Sequence, residues 1–157
     1  MPAGDVRVLS LKDRPGDIAL CARWNFKQWG REAGRDLAGT EAALRDIACS
    51  TSGEGAVIGL LNGKPAGMAL LIACDLESHS HLTPWVASVY TVTESRGQGV
   101  ASAMMLGLER LAAAYGFDAA YLYTESPDFY ARLDWSVIET LAHETSDMAV
   151  MKRVLAG

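Results

Sequence analysis

Val89-Tyr90-Thr91-Val92-Thr93-Glu94-Ser95-Arg96-Gly97-Gln98-Gly99-Val100-Ala101-Ser102-Ala103-Met104-Met105 is the stretch from which the rest of the chain can be read. Residues 89–93 are β-branched or aromatic, the composition of a pleated strand. Gly97 and Gly99 allow positive φ and close approach to the backbone. From Ala101 onward, the apolar positions 101, 104, 105, 108, 111, 112 and 115 share one helical face. A strand that enters a helix through small residues offers an anion site. The N–H groups of the first turn lack intrahelical partners, and the helix dipole adds partial positive charge. Two common nucleotide-binding turns are excluded. A P-loop carries Lys-Ser/Thr after its last glycine, whereas Val100-Ala101 stands here. A dinucleotide-binding turn has a third glycine and an acidic residue about 20 positions on. Here the next acid is Glu109, inside the predicted helix.

The 157 residues imply one domain, 1–157, large enough to bury a core. Half the residues are hydrophobic and 21% are charged, a globular balance. With a net charge of −5 and no cluster of Lys and Arg, nucleic acid is excluded as a main partner. An acidic surface mildly favours a cationic partner. Cys21, Cys49 and Cys74 show no CxxC spacing, so we expect reduced, buried thiols and a reducing compartment. The N-terminus lacks a basic region followed by an apolar run. The longest mostly apolar run, Pro65 to Cys74, is about half of the ~20 residues that span a bilayer. The expectation is a cytoplasmic protein without membrane contact.

Upstream of the central stretch, Val6-Arg7-Val8-Leu9 alternates as a short strand. Residues 13–17 have turn chemistry, and Asp17 is read as the cap of a helix from Ile18 to about Arg31. Residues 31–39 read as a mobile connection, with Thr40 capping a second helix from Glu41 to about Cys49. Ala56–Leu61, Asn62-Gly63 and Lys64–Ala73 form a β-hairpin signal. A polar loop, 75–84, carries His79 and His81 without a third ligand nearby, so no metal is expected. Trp85 to Thr93 is the strand entering the turn. Downstream, the helix runs to Tyr115 and stops at Gly116. Asp118–Thr124 is a strand with Tyr121 and Tyr123 on one face. A short helix over 129–133 follows, then strands at 135–141 and 148–155 joined through residues 144–147. This order predicts an α/β (α+β) fold, a mixed sheet with helices on both faces.

Arg96-Gly97-Gln98-Gly99-Val100-Ala101 resembles the acetyl-CoA signature of the GNAT superfamily of N-acetyltransferases. That pattern is Arg/Gln, two residues, Gly, one residue, Gly/Ala. A second segment, Tyr121 to Trp135, resembles the family's later signature, a strand followed by a short helix bearing Phe-Tyr and then Leu-Gly-Phe/Trp. Three departures stand out. Asp134 takes the place of Gly, at a position that needs a left-handed backbone. Gln98 stands where Lys or Arg is common, and an Asn often found after the fifth strand is absent.

The resemblance implies a mostly antiparallel sheet of six to seven strands, splayed after strand four. It implies acetyl-CoA as co-substrate, with the pantetheine arm in the splay. The cofactor-binding residues would be Tyr90, Thr91, Val92, Arg96, Gly97, Gln98, Gly99, Val100, Ala101, Ser102, Thr124 and Phe129. The backbone N–H of Val92, at a strand bulge, would polarise the thioester carbonyl. Tyr130 would be the catalytic acid that protonates the departing thiolate. The implied reaction is direct transfer of the acetyl group to a primary amine in a ternary complex. The acceptor would be a small-molecule amine or a protein N-terminus, and the protein a monomer or homodimer.

The general base is not fixed by the residues, and direct attack without a dedicated base is allowed if the amine enters already deprotonated. Asp75, Glu77, His79, His81 and Glu125 are candidates, and Ser88 and Tyr90 could hold a relay water. The acceptor site is expected among the first helices, the 75–84 loop and the last hairpin, which brings Trp24, Phe26, Trp29, Trp85 and His143 into view. Two other readings compete with the enzyme. One is a non-catalytic acyl-CoA sensor or interaction module on the same fold. The other is an unrelated binder of phosphate ligands.

Overall fold

The structure is a computed structural model that describes residues 4–30, 33–142 and 146–155. Seven strands form one sheet in the order β1-β2-β3-β4-β5-β7-β6. They are β1 (Val6–Ser10), β2 (Gly55–Leu61), β3 (Lys64–Ile72), β4 (Trp85–Thr91), β5 (Ala119–Thr124), β6 (Ser136–Leu141) and β7 (Met148–Val154). Four α-helices accompany them: α1 (Ile18–Asn25), α2 (Leu37–Ala48), α3 (Val100–Ala114) and α4 (Pro127–Ala131). Neighbouring strands are antiparallel except for β4 and β5, which run parallel.

The hairpin signal is realised as read. Asn62 and Gly63 take φ of 52° and 81°, which matches the twist of the flanking strands. Strands β2 and β3 are buried along most of their length because helices cover both faces. On one face α1 and α2 pack Ile18, Cys21, Leu44 and Ala48 against Ile58, Met68 and Leu70. On the other, α3 packs Val100, Met104, Met105 and Leu108 against Val57, Ala69 and Leu71. Gly59 and Gly67, paired across β2 and β3, form the floor under the start of α3. A Cβ at Gly59 would lie 2.7 Å from Val100 Cγ1, and one at Gly67 2.5 Å from the Tyr90 carbonyl. The missing side chains let α3 seat close to the sheet, which fixes where its N-terminus ends up.

The sheet parts between β4 and β5. The two strands share one residue pair, Trp85 with Tyr121, while β5 pairs with β7 along its full length. Trp85 is fully buried at the base of the opening. Its ring lies 5.9 Å from that of Tyr121 and 6.3 Å from that of Tyr123, and its indole N–H donates to the Leu82 carbonyl at 2.7 Å.

Several local expectations are corrected. Asp17 does not cap α1, because its carboxylate accepts from Arg14 Nε at 2.7 Å instead. The first helix ends at Asn25 and continues as one wide π-type turn, Phe26–Gly30. The second helix starts at Leu37 rather than Glu41. Asp36 caps it by accepting from the Gly39 N–H, and the Thr40 hydroxyl donates to the Asp36 carbonyl at 2.9 Å. Of the cysteines, only Cys21 is buried, where desolvation and the Asp17 carboxylate push its thiol up to about 12. Cys49 and Cys74 are exposed. Residues 31–32 of the expected connection and 143–145 of the expected last turn lie outside the described residues. None of the described helices is long and apolar enough to cross a membrane.

Candidate active site

The turn after β4 behaves as its sequence demands. Gly97 and Gly99 have φ of 77° and 87°, a region closed to most side chains, and space beside both is open. Gly99 is the N-cap of α3, and no side chain caps the helix. The first intrahelical bond runs from the Ala103 N–H to the Gly99 carbonyl at 3.0 Å. The N–H groups of Val100, Ala101 and Ser102 therefore precede the helical ladder and aim at whatever lies before the helix. Arg96 folds back, its Nε donating to the Thr91 carbonyl at 3.0 Å, and so braces the turn.

A cleft of about 690 Å³ opens on this helix end and runs into the gap between β4 and β5. Of the twelve cofactor residues expected, it is lined by Tyr90, Thr91, Arg96, Gly97, Gly99, Val100, Ala101, Ser102, Thr124 and Phe129. Gln98 and Val92 are not among its walls. Gln98 Nε2 reaches back to the Glu94 carbonyl at 3.5 Å. The Val92 N–H donates to the Ala66 carbonyl at 2.8 Å, closing the β3–β4 ladder, and so is not available to a thioester. The bulge lies earlier. Leu70 faces Ala87 and Met68 faces Tyr90, so Ser88 and Val89 together oppose Ala69. One residue of β4 is thereby left out of the ladder. Ser88 has φ of 53°, and its Oγ accepts from Asn25 Nδ2 at 2.8 Å.

A second cleft of about 670 Å³ lies on the α1/α2 side. Its walls include Asn25, Trp29, Arg35, Asp75, Tyr123 and Glu125. The two clefts share Gln28, Trp29, Val89, Thr124, Ser126 and Tyr130, so they meet where the bulge faces α4. Tyr130 packs edge-on against Phe129 with ring centroids 4.9 Å apart, and its hydroxyl has no hydrogen-bond partner among the described residues. Burial raises its pKa, which keeps it protonated. Asp75 is also largely desolvated, and its carboxyl is pushed up to about 6. It has no hydrogen bond or ion pair among the described residues. Tyr123 is raised by desolvation and by the Asp75 carboxylate, and stays a neutral donor.

The model of the acetyltransferase (GNAT) family matches residues 19–135. The chain belongs to the GNAT acetyltransferase family. No curated protein sequence matches it. Solved GNAT-fold structures do. A GNAT-family acetyltransferase from Streptococcus pneumoniae superposes with a TM-score of 0.73 at 16% identity, over 97% of this chain and 100% of the other. The aminoglycoside 6'-N-acetyltransferase from Enterococcus faecium gives 0.74 at 12%, over 96% and 98%. YncA from Salmonella typhimurium, solved with its cofactor acetyl-CoA, gives 0.71 at 16%, over 99% and 95%. At such identities these likenesses show the GNAT fold alone.

Within this GNAT frame, the remaining candidates separate. His79 and His81 stack with centroids 5.9 Å apart, and His79 Nε2 pairs with Glu139 Oε1 at 2.7 Å, away from both clefts. Glu77 also lies outside the cleft walls. Asp75 and Glu125 are the candidate bases that face the second cleft. Of the aromatics, Trp29 lines both clefts, Trp24 packs on Tyr90 at 5.7 Å, and Trp85 is core. Phe26 lines neither cleft, and His143 lies outside the described residues. Asp134 has φ of 70°, the left-handed backbone expected where the family has Gly. Two groups were missed in the sequence. Val89 reads as an ordinary strand residue, and Asn25 lies within the predicted first helix with nothing to single it out. No local pattern marks either, because the bulge arises from β3–β4 register and the cleft from distant elements.

Proposed function

We propose that the chain is an N-acetyltransferase that moves the acetyl group of acetyl-CoA to a primary amine in a ternary complex. The observation that carries this reading is the meeting of two clefts at Val89 and Tyr130, one opening on an uncapped helix N-terminus and the other on a desolvated carboxylate. The N–H groups of residues 100–102 suit a pyrophosphate, whose charge replaces the missing cap. The parted strands offer the pantetheine arm unpaired backbone along the gap. Acetyl-CoA supplies an activated acyl carbon and a thiolate leaving group.

The chain's own residues supply the rest. The Val89 N–H, at the bulge, donates to the carbonyl oxygen as negative charge develops there. Asp75 takes a proton from the acceptor, directly or through a water. An alkylammonium has a pKa of ~10, so at neutral pH it must lose a proton before its nitrogen attacks. The attacking nitrogen forms a bond to the acyl carbon and gives its second proton to water, the carbon–sulfur bond breaks, and the sulfur takes the Tyr130 proton. Water then restores the tyrosine. The acceptor class that fits is a small primary amine, its cation drawn by Asp75 and Glu125 and its body lying against Trp29 and Tyr123.

Calorimetric titration with acetyl-CoA, CoA and ADP, followed by thiol release against a panel of amines, tests the reading. One fold neighbour is an aminoglycoside 6'-N-acetyltransferase, so an aminoglycoside belongs in that panel. Acetyl-CoA binding with amine-dependent thiol release is expected. Binding without release by any amine favours an acyl-CoA sensor. Absence of binding removes the reading.

A further inference from the structure

Ser88 is an anomaly in the backbone. Three non-glycine residues among those described have positive φ. Asn62 sits in a hairpin turn and Asp134 follows α4, and both are residue types that tolerate the left-handed region. Ser88 sits inside a strand and is not of that type. A strained residue persists only where its surroundings hold it. The holder is visible. Asn25, the last residue of α1, donates from Nδ2 to Ser88 Oγ at 2.8 Å.

Asn25 is itself costly. It is 6% exposed, and its Oδ1 has no partner among the described residues. An apolar side chain at this site, beside the cluster built on Cys21 and Ala22, would bury no orphaned oxygen. The amide does one thing an apolar side chain cannot, which is to reach the bulge.

We propose that Asn25 is a positioning residue for acetyl transfer: by holding Ser88 in its left-handed turn, it aims the Val89 N–H into the gap between β4 and β5. The inference rests on the reading of the bulge as the carbonyl-polarising site and adds the device that sets it. Helix α1 also carries the chain into the turn bearing Gln28 and Trp29, which line both clefts. One helix end thus shapes the acceptor cleft and fixes the donor at the same time.

The test is a cycle at residues 25 and 88, read as the rate of thiol release and as acetyl-CoA affinity. Asn25→Ala and Ser88→Ala each cut the anchor and keep a strained Cβ at position 88. Each is expected to lower kcat by about ten- to a hundredfold, with acetyl-CoA affinity changed less than about twofold. Glycine at 88 takes the positive φ without strain. In a Ser88→Gly background, Asn25→Ala is therefore expected to cost less than about twofold. A cost as large as in the parent would show that Asn25 contacts substrate or serves folding, and would overturn the proposal. An Asn25→Ala enzyme at full kcat would overturn it too. If Asn25→Ala does not fold in a thermal melt, Ser88→Ala makes the same test from the other partner. If the parent protein releases no thiol with any amine, the acetyltransferase reading fails and this inference falls with it. An active parent with an unaffected variant removes the inference alone.

Discussion

Tyr130→Phe keeps the ring that packs against Phe129 and removes only a hydroxyl without a partner. Stability and acetyl-CoA affinity should therefore hold. Turnover should fall by about tenfold, toward the low end for a general acid, since a thiolate of pKa ~8.5 needs limited help in leaving. Stopped-flow thiol release with parallel calorimetry separates the two effects. Asp75 gives a pH signature. With its carboxyl pushed up to about 6, the rate at low substrate should rise with pH through that value, and Asp75→Asn should abolish the limb. The same shift has a stability consequence of opposite direction. Between the ordinary carboxylate range and about 6, the folded state binds more protons than the unfolded, so stability falls as pH rises through this window. Asp75→Asn should accordingly stabilise the protein at pH 7 by roughly 1–3 kcal/mol and leave it unchanged near pH 4. Urea melts at the two pH values read this directly. A slower but more stable variant is the pattern of a group held for function. The sequence puts Asp75 among five candidate bases and cannot rank them, because its desolvation comes from cleft walls on distant strands and helices.

Elements were legible where local chemistry decides them, and misread where a tertiary partner does. The strand, turn and helix around Gly97 and Gly99 follow from strand-forming residues, glycine φ and a clear apolar face. Asp17 looks like a cap, yet the neighbouring Arg14 claims its carboxylate. Asp36 looks like part of a loose polar run, yet it caps α2. The contrast is testable by chemical denaturation. Asp36→Ala should cost about 1 kcal/mol, the usual worth of a cap, whereas Asp17→Ala should cost less than about half of that. The glycine floor under α3 gives a second contrast. A methyl at Gly67 meets the Tyr90 carbonyl at 2.5 Å, and backbone cannot step aside. A methyl at Gly59 meets the buried side chains of Val100 and Met104 rather than backbone. Gly67→Ala should thus destabilise more than Gly59→Ala, by about 1–3 kcal/mol, and should also weaken acetyl-CoA binding by displacing the helix end.

At the scale of the molecule, the sheet is two sheets joined at one rung. Strands β1 to β4 form one part, β5, β7 and β6 the other, and among the described residues Trp85 with Tyr121 is the single residue pair between them. Element order was readable from the sequence because each element is local. The placing of β7 between β5 and β6 was not, since register across a sheet is set by pairing partners that no local pattern names. The open seam has a physical consequence. Above Trp85, the facing edges of β4 and β5 lack the ladder that protects other strands, so their amides should exchange with solvent faster than those of β2 and β3. A ligand that lies along the seam would supply partners to both edges at once. Acetyl-CoA at a hundred times its dissociation constant should stabilise the fold by about 2.7 kcal/mol. It should also slow hydrogen exchange over 86–91 and 122–126 together with the turn at 97–102. ADP has the pyrophosphate without the pantetheine arm, so it should protect 97–102 and leave the seam exchanging as before. Equal protection of the seam by both ligands would mean that the helix end closes the gap at a distance, and the seam would then not be where the arm lies.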